Sequence, residues 1–229
     1  MCVSLPSSKL STPQQLDQLV QDSANAGLEP GHPSVSLHIL QLSSSFPFIE
    51  GSWDVPASLD FIIYHLPDKL YAVSLCETYF AWGMWCSDIV SKEELIEDIL
   101  TPIYTYLESV DSRQDQPAEA VPISPHRLAI LFFILAIGSL VDITLPPCSI
   151  QAEDCFELGK ACLALSNVFV TPELGTLQAL FLLYIYYLHG NPRYSPETGW
   201  SILGLCTRLV HRVSVRAGLL DLPQLIHAP

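Results

Sequence analysis

The chain has little charge, and little of that charge is positive. Only 15% of its 229 residues are charged, whereas 49% are hydrophobic. Ten lysines and arginines stand against 24 acidic residues, which gives a formal net charge of −14. A surface of that sign is repelled by phosphate backbones and by anionic membranes. The composition therefore predicts a large apolar core and argues against direct contact with nucleic acid.

The sequence also lacks an apolar run of membrane-spanning length. Its two longest runs cover residues 128–141 and 177–188, whereas a spanning helix needs about 20 residues. We expect both to be buried core helices and expect no membrane partner. The N-terminus has no charged start followed by an apolar run, so nothing predicts a secretory signal. The seven cysteines are scattered through apolar segments, which is typical of reduced, buried thiols inside a cell.

Motifs for metal binding, nucleophilic catalysis and phosphate binding are absent. There is no CxxC, HxxxH, GxSxG or GxGxxG. Cys148, Cys155 and Cys162 follow one another at intervals of seven residues. On a helix that interval is about 10.5 Å, too long for two thiolates bound to one zinc. The sequence therefore predicts no catalytic, cofactor-binding or metal-binding residue in this chain.

An Mg²⁺-dependent helical lyase is the enzymatic alternative, since such enzymes hold metal ions on clustered aspartates. The nearest candidate acids are Asp111 with Asp115 and Glu153 with Asp154. We interpret the first pair as part of a solvated loop and the second as favourable charge at a helix start. Neither pair supplies the clustered acids that several Mg²⁺ ions need. We predict that the chain is not an enzyme.

Residues 1–65 predict a leader, in which proline, serine and glycine alternate with isolated apolar groups. A short helix can form over residues 13–26, because Thr12 can cap it and Pro13 suits its first position. Residues 28–65 are expected to be irregular and to pack on the surface. We therefore predict that the leader is not a separate domain.

From residue 66 onward the spacing of apolar residues predicts a series of packed antiparallel helices. The expected helices cover residues 66–83, 91–107, 124–142, 150–168, 171–190 and 196 onward, with a flexible loop at 108–123. The helix at 171–190 is expected to be capped by Thr171. Ser91 and Glu94 have the spacing of a capping box. Three of these helices follow a Ser-Pro or Thr-Pro pair, at residues 124–125, 171–172 and 195–196. Since no stretch alternates with a period of two, the predicted class is all-α without a sheet.

Four motifs follow one another in this helical part of the chain. The first comprises LP at residues 66–67 and YF at 79–80, and the second is LAILFFILAIGSL at 128–140. The third is CFELGKACLA at 155–164, and the fourth is LGTLQALFLLYIYYLHG at 174–190, followed by Gly199-Trp200, LGL at 203–205 and Arg208. In this order and spacing they resemble the fungal-specific transcription factor domain, also called the middle homology region, of zinc-cluster regulators.

The resemblance implies a nuclear regulatory domain that controls transcription by RNA polymerase II through the segments attached to it. It implies protein partners or self-association and a place for a small-molecule effector. Family members carry an upstream six-cysteine zinc cluster that reads DNA; since no such cluster occurs here, zinc would belong to a module outside this chain. The alternative is a stand-alone helical module that binds a protein partner through an exposed apolar surface.

The family's segment after Arg208 is only partly present. Members tend to reach Gly-Leu-His-Arg-Asp, whereas VSVRAGLLD at residues 213–221 only echoes it. We therefore expect residues 66–229 to be the N-terminal part of the regulatory domain. Within it, we expect glycines to permit close helix approach at Gly138, Gly199 and Gly204. Gln178 is expected to offer its amide to a neighbouring backbone, and Trp200 to wedge between helices.

Overall fold

The computed structural model describes residues 34–48, 53–83, 89–111, 123–147, 149–166, 168–190 and 194–216. These residues form eight helices and no strand, which confirms the predicted all-α class. The bounds are Leu37–Ser44 (α1), Val55–Ile63 (α2) and Lys69–Gly83 (α3), then Lys92–Glu94, Leu95–Leu100 and Thr101–Asp111 in one continuous α4. They continue with Pro125–Val141 (α5), Ile150–Leu165 (α6), Leu174–His189 (α7) and Pro196–Arg216 (α8).

Helix α5 forms the centre of the fold. Every residue from Leu128 to Ile137 is buried, and α3, α6 and α7 pack around the helix. A helix that is apolar on all sides requires such a cover. The prediction that residues 128–141 form a buried core helix is therefore confirmed. None of the helices in the described ranges is long and apolar enough to cross a bilayer.

Two glycines let neighbouring helices approach α5. A Cβ atom on Gly138 would lie 2.4 Å from the carbonyl oxygen of Leu75 on α3. A Cβ atom on Gly159 of α6 would lie 2.5 Å from the ring of Phe133 on α5. Real Cβ atoms do not come so close to other heavy atoms, so both contacts require glycine. The predicted role of Gly138 is confirmed, whereas that of Gly159 was not predicted.

Proline begins α5 and α8 as predicted. Pro125 and Pro196 are the first residues of these helices, a position where the missing N–H has no partner to lose. The prediction is wrong for α7, which begins at Leu174 and is capped by Glu173 instead of Thr171. The Glu173 N–H donates to the Thr176 hydroxyl over 3.0 Å. Glu173 and Thr176 have capping-box spacing, and this local pairing sets the helix start.

The prediction of an irregular leader is wrong for the described residues before Leu66. This part of the chain contains α1 and α2, on which Ile39, Leu42 and Ile62 are at most 1% exposed. Helix α1 packs against α6, so it belongs to the same core as the later helices. Both helices escaped prediction because eight or nine residues give only about two turns of apolar spacing. The helix predicted over residues 13–26 lies outside the described residues.

Helix α4 begins at the predicted cap but differs from the prediction further on. The Ser91 hydroxyl accepts a 3.0 Å hydrogen bond from the Glu94 N–H, which is half of the predicted capping box. The helix is π-helical over Leu95–Leu100 and ends at Asp111, beyond the predicted end at Leu107. Such π-helical turns are uncommon and often occur near functional sites. The rest of the predicted loop, residues 112–122, lies outside the described residues.

Candidate functional site

Gln178 connects the motif helix α7 to α4. Its Nε2 donates to the carbonyl oxygen of Ile89 and to the Glu94 carboxylate, each over 2.9 Å. This confirms the prediction that Gln178 offers its amide to a neighbouring backbone. It also explains the incomplete capping box, because the Glu94 side chain accepts from Gln178. The segment before α4 is therefore held against the middle of the fold by one buried amide.

A cavity of about 230 Å³ lies beside this amide, where α4, α5 and α7 meet. The His126 ring lies 3.4 Å from the Thr176 hydroxyl, and Arg127 donates to the carbonyl oxygen of Asp98 over 3.0 Å. Burial lowers the pKa of His126, and the nearby Glu173 opposes that effect. Pockets for organic ligands usually exceed about 300 Å³. This cavity is therefore too small for an organic effector.

A larger cleft of about 440 Å³ opens between α6 and the segments that precede α1 and follow α2. We call it the α6 cleft. Its lining comprises Ser34, Val35, Ser36, His65, Pro67, Ile150, Gln151, Asp154, Cys155 and Leu158. The volume lies in the range that is usual for small-molecule sites. Sequence reasoning missed the cleft because four of its ten lining residues lie before residue 66, in the segment interpreted as irregular.

The polar groups of the α6 cleft have defined donor and acceptor roles. His65 Nδ1 lies 3.0 Å from the carbonyl oxygen of Phe61, which can only accept, so Nδ1 carries the proton. In the neutral ring Nε2 is then an acceptor. Gln151 Oε1 accepts from the Tyr71 hydroxyl over 2.9 Å, which leaves the Gln151 NH₂ group as a donor. The cleft therefore suits a polar ligand that carries both donors and acceptors.

The one thiol in the cleft is not activated. Burial raises the pKa of Cys155 to about 12, and the neighbouring Asp154 adds to the effect. A nucleophilic cysteine needs a lowered pKa, because the thiolate is the reactive form. The arrangement of the α6 cleft therefore supports ligand binding and supplies no covalent chemistry through this residue.

Glu153 lies in the first turn of α6, as predicted, and Asp154 follows it, but both carboxylates also have partners elsewhere in the fold. Glu153 is 2% exposed and accepts hydrogen bonds from Tyr194 over 2.6 Å and from Tyr186 over 3.3 Å. Asp154 accepts from both the N–H and the hydroxyl of Ser34. Because the two carboxylates have separate partners, they do not converge on a common point. Asp115 and the side chain of Asp111 lie outside the described part.

One turn after Glu153, Glu157 is a second buried carboxylate of α6. It accepts from the Ser43 hydroxyl of α1, and both of its oxygens lie 3.2 Å from the Lys160 ammonium. Buried carboxylates need such hydrogen bonds, because desolvation disfavours the charged form. Glu153 and Glu157 thus connect α6 to three other parts of the fold, namely α1, α7 and the segment before α8. Their spacing of four residues inside an apolar helix was the sequence signal for this role.

An aromatic cluster surrounds these carboxylates. The Phe156 ring stacks on Tyr186 with centroids 4.1 Å apart and contacts Tyr194 at 5.0 Å and Tyr187 at 5.5 Å. Burial raises the pKa of Tyr187 to about 12, and burial together with the Glu153 hydrogen bond raises the pKa of Tyr194. Phenols of raised pKa stay protonated and keep donating hydrogen bonds at neutral pH. The cluster therefore stabilises the start of α8 against α6.

The described ranges contain no group of three or more His, Cys, Asp or Glu side chains arranged to hold a metal ion. Cys155 and Cys162 are buried free thiols of α6, as are Cys76 and Cys206 elsewhere. Cys148 lies outside the described residues. Cys155 and Cys162 thus both lie in the core, and neither belongs to a group of side chains that could hold a metal ion.

The expected roles of three residues in α8 have different outcomes. Gly199 is buried against α7, and its Cβ would lie 3.2 Å from the Tyr187 Cβ, as predicted for close approach. The prediction is wrong for Gly204, because a Cβ there would meet nothing within 4 Å. It is also wrong for Trp200, which is 61% exposed and does not wedge between helices. Both residues are exposed on α8, and the Trp200 ring lies at the edge of α7.

Comparison with known proteins gives no match: no family model, curated protein or solved structure is similar to this chain. The resemblance to the fungal regulators therefore stays a prediction that depends on the motifs at residues 66–208.

Proposed function

We propose that the chain is a regulatory, non-catalytic domain of a fungal transcription factor, acting in the nucleus on transcription by RNA polymerase II. The observation that carries the proposal is the order of the four motifs, which fall on α3, α5, α6 and α7 with α8. Two motif residues have packing roles that suit such a scaffold: Gly138 admits α3, and Gln178 binds α4. DNA contact belongs to attached segments in this proposal, since the net charge of −14 opposes it here.

The α6 cleft is the proposed effector site of this domain. It joins α6 to the chain around α1 and α2, so a bound ligand would change how firmly these elements are held together. Any ligand that binds only one arrangement shifts the domain towards it. The donor and acceptor pattern of His65, Gln151 and Asp154 favours a small polar metabolite over a lipid.

A reporter experiment tests the proposal. The full chain is fused to an unrelated DNA-binding domain in yeast, and reporter expression is measured across carbon, nitrogen and sulfur sources. A fusion that begins near residue 60 would cut α2, so the whole chain is used. We expect reporter expression to change several-fold between at least two conditions. Constant expression under all conditions, with the fusion protein present and folded, contradicts the regulatory function.

The cleft is tested separately with His65→Ala, which removes a lining side chain that lies at the surface. We expect this variant to fold normally and to lose most of the response to the active condition. His211→Ala, on the exposed face of α8, is the matched control and should respond like the unchanged fusion. If His65→Ala responds normally while the regulatory effect persists, the effector site lies elsewhere.

The second candidate function is a stand-alone helical interaction module. The observation in its favour is the set of large apolar side chains at the surface, among them Leu70 at 81% and Trp200 at 61% exposure. Exposed apolar groups that cluster are typical of binding surfaces. Size-exclusion chromatography with light scattering tests this candidate, because a well-folded chain that stays monomeric has no need of a partner.

A further inference from the structure

Gly204 has no explanation in the part of the chain that the structure describes. It lies in the middle of α8, where glycine is less favourable than alanine because it loses more backbone freedom on folding. At Gly138 and Gly159 a side chain would collide with the neighbouring helix, and at Gly199 it would make a tight contact of 3.2 Å. At Gly204 the space above the Cα is open instead. Since none of the described residues contacts this position, we infer close approach by something beyond them.

Gly204 belongs to a face of α8 with a defined pattern. Glu197, Trp200, Gly204 and Arg208 follow one another at intervals of three, four and four residues, so they lie along one side of the helix. All four are exposed, whereas Ile202, Cys206 and Leu209 on the opposite side are buried against the fold. We call these four residues the outer face of α8. This face carries a large aromatic ring, an open space one turn later and opposite charges at its two ends.

The Trp200 ring extends an apolar surface that continues onto α7. Its centroid lies 6.1 Å from that of Tyr184, and Leu188 is also exposed nearby, close to Gly199. Tryptophan is among the residues that contribute most to protein interfaces. A tryptophan ring at the surface leaves apolar area in contact with water, and burying that area against a partner would stabilise the complex.

We propose that the outer face of α8 is an interface between two copies of this chain, in which the two α8 helices cross antiparallel about a two-fold axis. In that arrangement the two-fold axis passes α8 midway between residues 200 and 204. Trp200 of each copy therefore covers Gly204 of the other. The same symmetry places Glu197 of each copy beside Arg208 of the other. A two-fold contact requires such a self-complementary surface.

The charges of the outer face are self-complementary, which favours a second copy as the occupant. The net charge of −14 opposes the approach of two copies elsewhere on their surfaces, so the attraction has to come from this face. Arg208 is one of only ten basic residues, and in the paired helices it meets an acid of the other copy. Since one helix pair buries little area, the dimer should be weak and concentration-dependent. The inference does not depend on the transcriptional function.

Sedimentation velocity and light scattering on the full chain test the proposal, from about 1 μM to about 500 μM protein. We expect reversible dimerisation that is weakened at least about tenfold by Trp200→Ala and by Gly204→Gln. Glutamine is a good helix former, so Gly204→Gln fills the open space while the fold is retained, as checked by circular dichroism. Leu70→Ala on α3, which removes a side chain that is 81% exposed, is the matched control and should leave dimerisation unchanged.

A charge exchange tests the orientation of the helices. Arg208→Glu should weaken dimerisation, because it places two acids opposite each other at both ends of the contact. Combining Glu197→Arg with Arg208→Glu should restore part of the loss. A chain that stays monomeric at every concentration overturns the proposal, whichever other segment or protein covers the face. So does a dimer that is unaffected by both Trp200→Ala and Gly204→Gln.

Discussion

Gly138 and Gly204 both lie inside helices, yet replacing them with alanine should have opposite effects on stability. The added methyl at Gly138 would lie 2.4 Å from the Leu75 carbonyl oxygen, so α3 and α5 must move apart. We expect Gly138→Ala to lower the free energy of unfolding by about 2 to 3 kcal/mol. At Gly204 the methyl meets none of the described residues, and we expect Gly204→Ala to raise the free energy of unfolding by about 0.5 to 1 kcal/mol.

Urea unfolding of both variants, followed by circular dichroism on dilute and therefore monomeric protein, measures these changes. The pair controls for the general effect of alanine on helix propensity, which has the same sign at both positions. Equal changes in the unfolding midpoint would show that backbone propensity alone decides the outcome and that the contact between α3 and α5 can adjust.

Buried His126 should make stability depend on pH. Burial lowers the pKa of His126 in the folded chain, so below about pH 6.5 the unfolded chain binds more protons than the folded one. Stability from the neutral ring is therefore fully present above about pH 6.5 and is lost as the pH falls towards the folded pKa. We expect the free energy of unfolding of His126→Gln to differ less between about pH 5.5 and about pH 7.5 than that of the unchanged chain.

Urea unfolding at several pH values measures this difference. His65→Gln, at an exposed position, tests whether replacing any histidine gives the same result. If His126→Gln leaves the pH dependence unchanged, His126 is not held in its neutral form by the fold.

At the scale of helices, the polar side chain of Gln178 joins α7 to the start of α4. Gln178→Ala would leave the Ile89 carbonyl and the Glu94 carboxylate without this donor. Unpaired groups of this kind cost about 1 to 3 kcal/mol each when they are buried, but Glu94 reaches solvent. We therefore expect a loss of about 2 kcal/mol in the free energy of unfolding.

Gln41→Ala is the matched control, because Gln41 lies exposed on α1. It should change the free energy of unfolding by less than about 0.5 kcal/mol. Hydrogen exchange offers a local measurement, since the amides at the start of α4 should exchange faster in Gln178→Ala. Equal stability of the two variants would mean that water replaces the Gln178 amide without loss.

The long helices could be predicted from the sequence because their apolar residues recur over four or more turns. Residues 128–140 are an example, since an uninterrupted apolar run can only be covered on all sides. Local competition decided the details that could not be predicted. Glu173 displaced Thr171 as the cap of α7, and Glu94 turned to Gln178 instead of completing its capping box. Such choices depend on neighbours that are distant in sequence.

For the whole molecule, the sequence predicts the helical class but places the start of the compact unit too late. In the described part of the leader, two short helices carry the buried apolar residues, and their contribution to the core depends on the packing of α1 against α6. The α6 cleft could not be predicted for the same reason, since its walls come from residues 34–36, 65–67 and 150–158. The aromatic cluster depends likewise on Tyr194, an isolated residue in a connecting segment.

This dependence predicts that a chain that starts at residue 66 will not fold stably. It would lack α1 and α2 and so uncover the surface of α6 on which Ile39 and Leu42 pack. Glu157 would also lose the Ser43 hydroxyl. Burying one large aliphatic side chain contributes about 1.5 to 3 kcal/mol, and a domain has only about 5 to 15 kcal/mol in total.

Thermal and urea unfolding of chains that start at residues 66 and 34 distinguish the two possible boundaries. The chain that starts at residue 34 keeps α1, α2 and the hydrogen bonds between Ser34 and Asp154, so it should unfold cooperatively. The shorter chain should show reduced helical signal, aggregation or a midpoint that is lower by about 10 °C or more. Equal cooperativity and equal midpoints would place the domain boundary at residue 66 and would show that α1 and α2 contribute little to stability.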